Sequence, residues 1–199
     1  MPDIIAVILI GYGLGNFATS YILGKIFRKT DIREHGSGNA GATNALRVFG
    51  VKFAAVTFLI DALKGVLAVV IGRLILGELG GLIAGVSVVV GHNWPILLKF
   101  KGGKGIASTI GVVSIINYKL ALICVAVGLL VVIKTRYVSL GSIIAISLLP
   151  ILAATTIRPF DLNFFIFSLI LTAMAILRHR SNIKRLINGN ESKLGQKAL

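Results

Sequence analysis

The chain has a single cysteine, Cys124, and it lies inside an apolar run. One thiol forms no internal disulfide, and without a CxxC or a Cys/His ligand cluster neither a redox centre nor a structural zinc site is expected. Acidic residues are scarce too: seven Asp and Glu stand against twenty-one Lys and Arg, for a formal charge of +14. Such an excess would suit nucleic acid, but that partner needs a basic surface on a soluble scaffold. Here the cations occur in clusters between apolar runs, the pattern of positive-inside membrane loops, so no nucleic-acid partner is expected. A basic leader is also missing. The N-terminus reads Met1-Pro2-Asp3 and the first apolar run continues for a full span, which predicts a transmembrane helix rather than a cleavable signal. There is no internal repeat of useful length, no low-complexity run and no linker, so residues 1–199 are expected to form a single membrane-embedded domain.

What the sequence does hold is apolar surface. Its hydrophobic fraction of 56% and mean hydropathy of +0.92 exceed those of an ordinary soluble domain. A span needs about 20 apolar residues. Ile4–Leu23, Phe53–Leu76, Leu79–Leu98 and Val138–Thr156 meet or nearly meet that length, and Phe160–Leu177 is slightly shorter. Between Gly105 and Ile133 the run is too long for one relaxed span and is broken at Asn117-Tyr118-Lys119.

Charge decides how to divide it. Lys25, Arg28, Lys29, Arg33, Arg47 and Lys52 follow the first span and place that loop in the cytoplasm, with the N-terminus outside. Gly77–Gly80 carries only Glu78, while Lys99, Lys101 and Lys104 return to the inside. A single helix over Gly105–Ile133 would put Lys134, Arg136 and the tail cations Arg178, Arg180, Lys184, Arg185, Lys193 and Lys197 outside. Splitting it into Ile106–Ile116 and Leu120–Ile133 restores every basic loop to the cytoplasm. The expected fold is therefore an all-α polytopic membrane protein of about seven segments, with a cytoplasmic C-terminus and the polar motifs at the cytoplasmic face. The 11-residue half-span covers only about half of a roughly 30 Å core, so it is either shielded by neighbours or re-entrant.

Three polar segments carry the chemistry. The first is Gly36-Ser37-Gly38-Asn39-Ala40-Gly41-Ala42-Thr43-Asn44, followed by Arg47. Its small residues let backbone N–H groups approach a ligand while Ser37, Asn39, Thr43 and Asn44 add hydrogen bonds, which suits a phosphate. A flexible loop or a small-residue packing site would explain the glycines but not the asparagines and the arginine. The second segment runs from His92-Asn93-Trp94-Pro95 to Phe100-Lys101-Gly102-Gly103-Lys104-Gly105. Glycines ahead of a helix N-terminus expose unpaired amides where the dipole is positive, and Lys104 adds a full charge. The spacing GxxxxGK[ST] is absent, which argues against a Walker-type nucleotide site; the plain alternative is a basic turn on anionic lipid. The third is Arg178-His179-Arg180-Ser181-Asn182, continuing through Arg185 and Gly189 to Glu191. His179 and Asn182 share a helical face there, unless the segment is simply amphipathic and lies on headgroups. Asp61 and Lys64, three apart within a span, read at least as well as a structural pair as a functional one. His35 and His92 show no carboxylate partner and read as structural.

Taken together, GSGNAGATN, GHNWPxxxxFKGGKG and RHRSNIxRLxxGxE resemble the bacterial acyl-phosphate:glycerol-3-phosphate acyltransferases, with three motifs in order over essentially the whole chain. The resemblance implies transfer of an acyl chain from acyl phosphate to the 1-position of glycerol 3-phosphate, giving lysophosphatidic acid and inorganic phosphate in the first step of phospholipid synthesis at the bacterial inner membrane. It implies catalytic roles for Ser37, Asn39, Arg47, His179 and Asn182, and substrate-binding roles for Gly36, Gly38, Gly41, Thr43, Asn44, Gly102, Gly103, Lys104 and Glu191. Neither a metal nor a cofactor nor an obligatory protein partner is expected; the partners are acyl phosphate, glycerol 3-phosphate and membrane lipid. Ala40 stands where proline is often found, and Ser108 where threonine is common. No HxxxxD follows His35, His92 or His179, and no Ser-His-Asp set is present, which leaves His179 or a substrate phosphate as the base, with the phosphate preferred. A transporter or flippase of a phosphorylated metabolite or lipid remains the other functional class, although its site would sit near the midplane, often within repeats.

Overall fold

The computed structural model describes residues 1–196, so Lys197 of the basic tail lies outside the described residues. Their regular elements are all helical: α1 (Pro2–Asn16), α2 (Thr19–Arg28), α3 (Ala42–Phe49), α4 (Val51–Asn93), α5 (Ile106–Ile116), α6 (Tyr118–Thr135), α7 (Val138–Thr156), α8 (Leu162–Arg178) and α9 (Arg180–Ile187), with 3-10 turns at Ile32–Glu34 and Ile96–Leu98. Four stretches are long and apolar enough to cross a membrane: Pro2–Arg28, Val51–Leu98, Tyr118–Thr135 and Val138–Thr156. A fifth is present if Leu162–Arg178 and Arg180–Ile187, bent by 60°, count as one span. Large side chains such as Leu9, Leu74, Leu129 and Ile133 are exposed on these helices, as lipid-facing residues are. The chain divides into two compact units, Met1–Val112 and Val113–Leu194.

In the first unit α1 packs on α4 through small residues. A Cβ at Gly15 would meet the Val88 carbonyl and Gly91, and one at Gly91 would meet the Tyr12 carbonyl, so only glycine lets the two backbones come this close. Helix α4 breaks at Leu76 and Gly77, where Gly77 has φ 59°. Beyond it the helix folds back, with Gly72 against Gly80 and Ala84. This is the turn expected from the apolar runs. The first span, expected to be continuous over Ile4–Leu23, is instead interrupted at Phe17 and Ala18, both non-helical. The cause is tertiary. Carbonyls freed at the break, those of Gly15 and Phe17, accept from Lys64 Nζ at 3.3 and 2.8 Å, and Thr19 Oγ1 donates to Asp61 at 2.9 Å. Helix α5 lies against α4 with equal intimacy, since Cβ atoms at Gly65 and Gly111 would meet the carbonyls of Ser108 and Ala62.

In the second unit the asparagine seen as a breaker proves to be a cap: Asn117 Oδ1 accepts from the Leu120 amide at 3.2 Å and starts α6. Asp161 does the same for α8 through the Phe164 amide at 3.0 Å, which is why that helix opens at Leu162 rather than Phe160. Gly128 and Gly141 bring α6 and α7 together. Thr172 donates to the Ile146 carbonyl at 2.9 Å and ties α8 to α7.

Candidate active site

The glycine-rich segment is organised by Asn44. Its side chain is buried, with Oδ1 accepting from the Ser37 amide at 2.9 Å and Nδ2 facing the carbonyls of Ile32, His35 and Asn39 at 3.0–3.1 Å. Winding the chain this tightly around one amide requires left-handed backbone at Gly36 (φ 59°) and Gly38 (φ 70°), and a Cβ on Gly36 would collide with Asn44 Oδ1. Asn44, expected to bind substrate, is therefore the hub of its own loop. Ser37 and Asn39 lie half-buried at the surface of the turn, joined by Asn39 Nδ2 donating to the Ser37 carbonyl and hydroxyl at 3.0 and 3.2 Å. From Gly41 the chain becomes α3, a helix not anticipated in what reads as a loop. Thr43 and Arg47 are one turn apart on it, both half-buried, and so share a face.

The second segment packs directly on the first. Arg33 Nη1 donates to the Leu98 carbonyl at 3.0 Å while its guanidinium pairs with Asp31 at 2.7 Å and stacks 4.9 Å over Tyr21. That Arg33 hydrogen bond holds the Asp31 carboxyl below its ordinary pKa despite partial burial. Gly103 donates its amide to the His92 carbonyl at 3.1 Å. A Cβ on Gly103 would meet His92 Nε2 and the Ala40 carbonyl; one on Gly102 would meet the carbonyls of His92 and Asn93. The glycines are thus required by protein packing on the Cβ side, a different reason from the approach of a ligand inferred from sequence. Gly105 (φ 77°) completes the turn into α5, and Lys104 beside it is half-buried. Under this turn the Asn93 side chain is fully buried with neither amide atom partnered.

Below the second segment sit Asp61 and Lys64, the pair that read at least as well as structural as functional. Lys64 Nζ is 2.9 Å from Asp61 Oδ1 and 2.9 Å from His92 Nδ1, with Asp61 Oδ1 itself 3.8 Å from that nitrogen. His92 therefore has the charged partners that sequence spacing did not reveal, because they lie 28 and 31 residues away. His35 is exposed, and its carbonyl, not its ring, serves the first segment through Asn44.

In the second unit, His179 lies at the bend between α8 and α9, buried, with Nδ1 2.7 Å from the Ala175 carbonyl. A carbonyl only accepts, so Nδ1 carries a proton, and whenever the ring is neutral Nε2 is the basic nitrogen. Asn182 is buried three residues on, and its Nδ2 donates to Glu191 Oε1 at 2.7 Å. The same oxygen accepts from Ser139 at 2.8 Å, and Oε2 accepts from Arg185 at 2.7 Å. Gly189, at φ 72°, reverses the chain after α9 and brings Glu191 back to this position. Burial pushes the Glu191 carboxyl up, but the bonds from Asn182, Ser139 and Arg185 outweigh it and hold the group below the ordinary range. Glu191, expected to bind substrate, braces the tail through these three bonds. Ser139 went unnoticed in the sequence, 52 residues from Glu191; Arg185 was named there only as a tail cation within the third segment, with no partner assigned.

Glycine-rich, cation-bearing turns at a helix N-terminus, on a scaffold of lipid-facing helices, suit a membrane protein that handles anions. Residues 5–189 match the family described as glycerol-3-phosphate acyltransferase. Curated relatives of that name are 54% identical in Thermoanaerobacter pseudethanolicus (95% of this chain, 94% of the relative) and 47% identical in Clostridioides difficile (97% and 96%). Crystal structures of PlsY (YgiH), an integral membrane glycerol 3-phosphate acyltransferase, superpose with TM-scores of 0.89 in the glycerol 3-phosphate form and 0.85 in the lysophosphatidic acid form. Their identities are 34% and 33%; each alignment covers 96% of this chain, and 96% and 95% of the respective structure. The chain belongs to the glycerol-3-phosphate acyltransferase family.

Proposed function

We propose that this acyltransferase takes its acyl group from acyl phosphate, with the Phe100–Gly105 turn holding the phosphate of glycerol 3-phosphate at the cytoplasmic side. The observation that carries this reading is the packing of the two glycine-rich segments on each other within one unit, at Gly103 and Ala40, beside Lys104 and ahead of the α5 N-terminus. The 1-hydroxyl oxygen of glycerol 3-phosphate attacks the acyl carbonyl carbon, and the carbon–oxygen bond to phosphate breaks. Inorganic phosphate leaves with the electron pair. A mixed anhydride needs charge stabilisation and positioning more than protonation, and Ser37, Asn39, Arg47 and Lys104 supply donors and positive charge for both. His179 and Asn182 serve the same reaction. A substrate phosphate, with a second pKa near 6 by analogy to phosphorylated side chains, takes the hydroxyl proton; activity left in His179→Gln then keeps an acid limb near that pH, whereas its disappearance would make His179 the base.

Seven membrane segments with an outside N-terminus and a cytoplasmic C-terminus fit this arrangement. The Val51–Leu98 stretch has 48 residues, about 72 Å at about 1.5 Å each, enough for two crossings joined at Gly77. The short α5 makes a further segment, shielded by α4 at Gly65 and Gly111. The family match runs through both units, which supports treating 1–199 as one functional domain. The test is an assay of purified protein. Phosphate release should require acyl phosphate and glycerol 3-phosphate together, and comparable turnover with acyl-CoA or acyl carrier protein would refute the donor assignment.

A further inference from the structure

We infer that the buried Asp61–Lys64 pair fixes His92 as a neutral ring protonated on Nε2, and that this ring sets the Gly102–Lys104 backbone for glycerol 3-phosphate. The inference rests on the assignment of that turn to the glycerol 3-phosphate phosphate; Lys64 and His92 are positioning residues for it.

Geometry around Lys64 Nζ gives the tautomer. Its near neighbours are Asp61 Oδ1 at 2.9 Å, the Phe17 carbonyl at 2.8 Å and His92 Nδ1 at 2.9 Å, with the Gly15 carbonyl farther away at 3.3 Å. An ammonium has three N–H bonds and accepts nothing. Three close acceptors use all three, so His92 Nδ1 must present a lone pair, and the ring proton resides on Nε2. Asp61 is held in turn by Thr19 Oγ1 at 2.9 Å, and all four polar side chains are buried. The ring's other end then occupies the volume where a Gly103 Cβ would stand, while the His92 carbonyl accepts the Gly103 amide at 3.1 Å. One residue thus touches Gly103 by side chain and by backbone. The pair that caps the broken end of α1 is connected to the anion turn through a single imidazole. A displacement of about 1 Å in a positioning group is enough to cost on the order of 100-fold in rate.

The chain has three histidines, so nitrogen NMR of histidine-labelled protein is assignable with single variants. His92 should show a protonated Nε2 and an unprotonated, hydrogen-bonded Nδ1; a proton on Nδ1 would overturn the inference. Kinetics give the second arm. His92→Gln places an amide near the Nε2 position and should keep the glycerol 3-phosphate KM within about fivefold, whereas His92→Asn keeps only an acceptor for Lys64 and should raise it about 10-fold or more, the acyl phosphate KM moving by less than about threefold in both. Equal KM values in the two variants, or a loss of thermal stability in Lys64→Met with an unchanged glycerol 3-phosphate KM, would reduce the pair to a helix cap. Lys104→Gln serves as the reference. If its glycerol 3-phosphate KM is unchanged, the assignment of the turn itself fails, and the inference with it; if that KM rises while the His92 variants do not differ, only the inference fails.

Discussion

The glycine-rich segment and the tail solve the same problem with opposite chemistry. Around residues 36–44 the chain wraps a neutral amide, Asn44, which spends its donors on three carbonyls and accepts one amide. Around 179–191 it wraps a carboxylate, Glu191, fed by Asn182, Ser139 and Arg185. An uncharged hub costs little to bury once its bonds are made, while a charged one is stable only as long as every partner is in place. Neither hub has its bonding groups left over for a phosphate, and a carboxylate would repel one. A polar residue inside a glycine-rich or cation-bearing segment can thus be there to shape the segment itself.

The difference between hubs should be largest when the charged one is removed. Glu191→Ala strands the donors of Asn182 and Ser139 and leaves Arg185 half-exposed to solvent, and is expected to cost about 2–4 kcal/mol, read as a lower thermal midpoint in detergent and loss of folded yield. Glu191→Gln should cost less, because it keeps the shape and one acceptor. The same carboxylate makes the tail pH-dependent. Its folded pKa lies below the ordinary value, so its stabilisation is present above the unfolded pKa and is lost as pH falls through the folded one. Melting from pH 7 towards pH 3 should fall more steeply in the wild-type protein than in Glu191→Gln; parallel curves would remove the carboxylate as a source of stability.

Asn44→Asp is the smaller perturbation. It replaces an amide nitrogen by an oxygen facing the Ile32, His35 and Asn39 carbonyls and should cost about 1–3 kcal/mol, with the loss confined to amide exchange in residues 32–44. Unchanged exchange there would contradict the hub role.

These hubs mark where sequence reading ran out. The α4 break at Gly77 and the separation of α5 from α6 at Asn117 were legible because hydrophobic length, charge and local capping are properties of neighbours in sequence. The break after Asn16 was not, since Lys64 and Asp61 create it from 42 to 49 residues away. Helix α3 was hidden for another reason: its first turn is the end of a glycine-rich run. The polar segments were legible as pattern, but pattern did not reveal that Asn44 and Glu191 brace their own segments through hydrogen bonds. Gly103 makes the same point, since its missing Cβ is explained by His92 and Ala40.

The measurement that bears most directly on this division between bracing and binding is a pair of KM values for Lys104→Gln, taken in detergent and in liposomes beside its thermal midpoint. The proposed function gives Lys104 to the substrate phosphate, so the folded variant should raise the glycerol 3-phosphate KM about 10- to 100-fold, the worth of a charge-assisted hydrogen bond, while the acyl phosphate KM moves much less. A folded variant with an unchanged glycerol 3-phosphate KM would contradict the account.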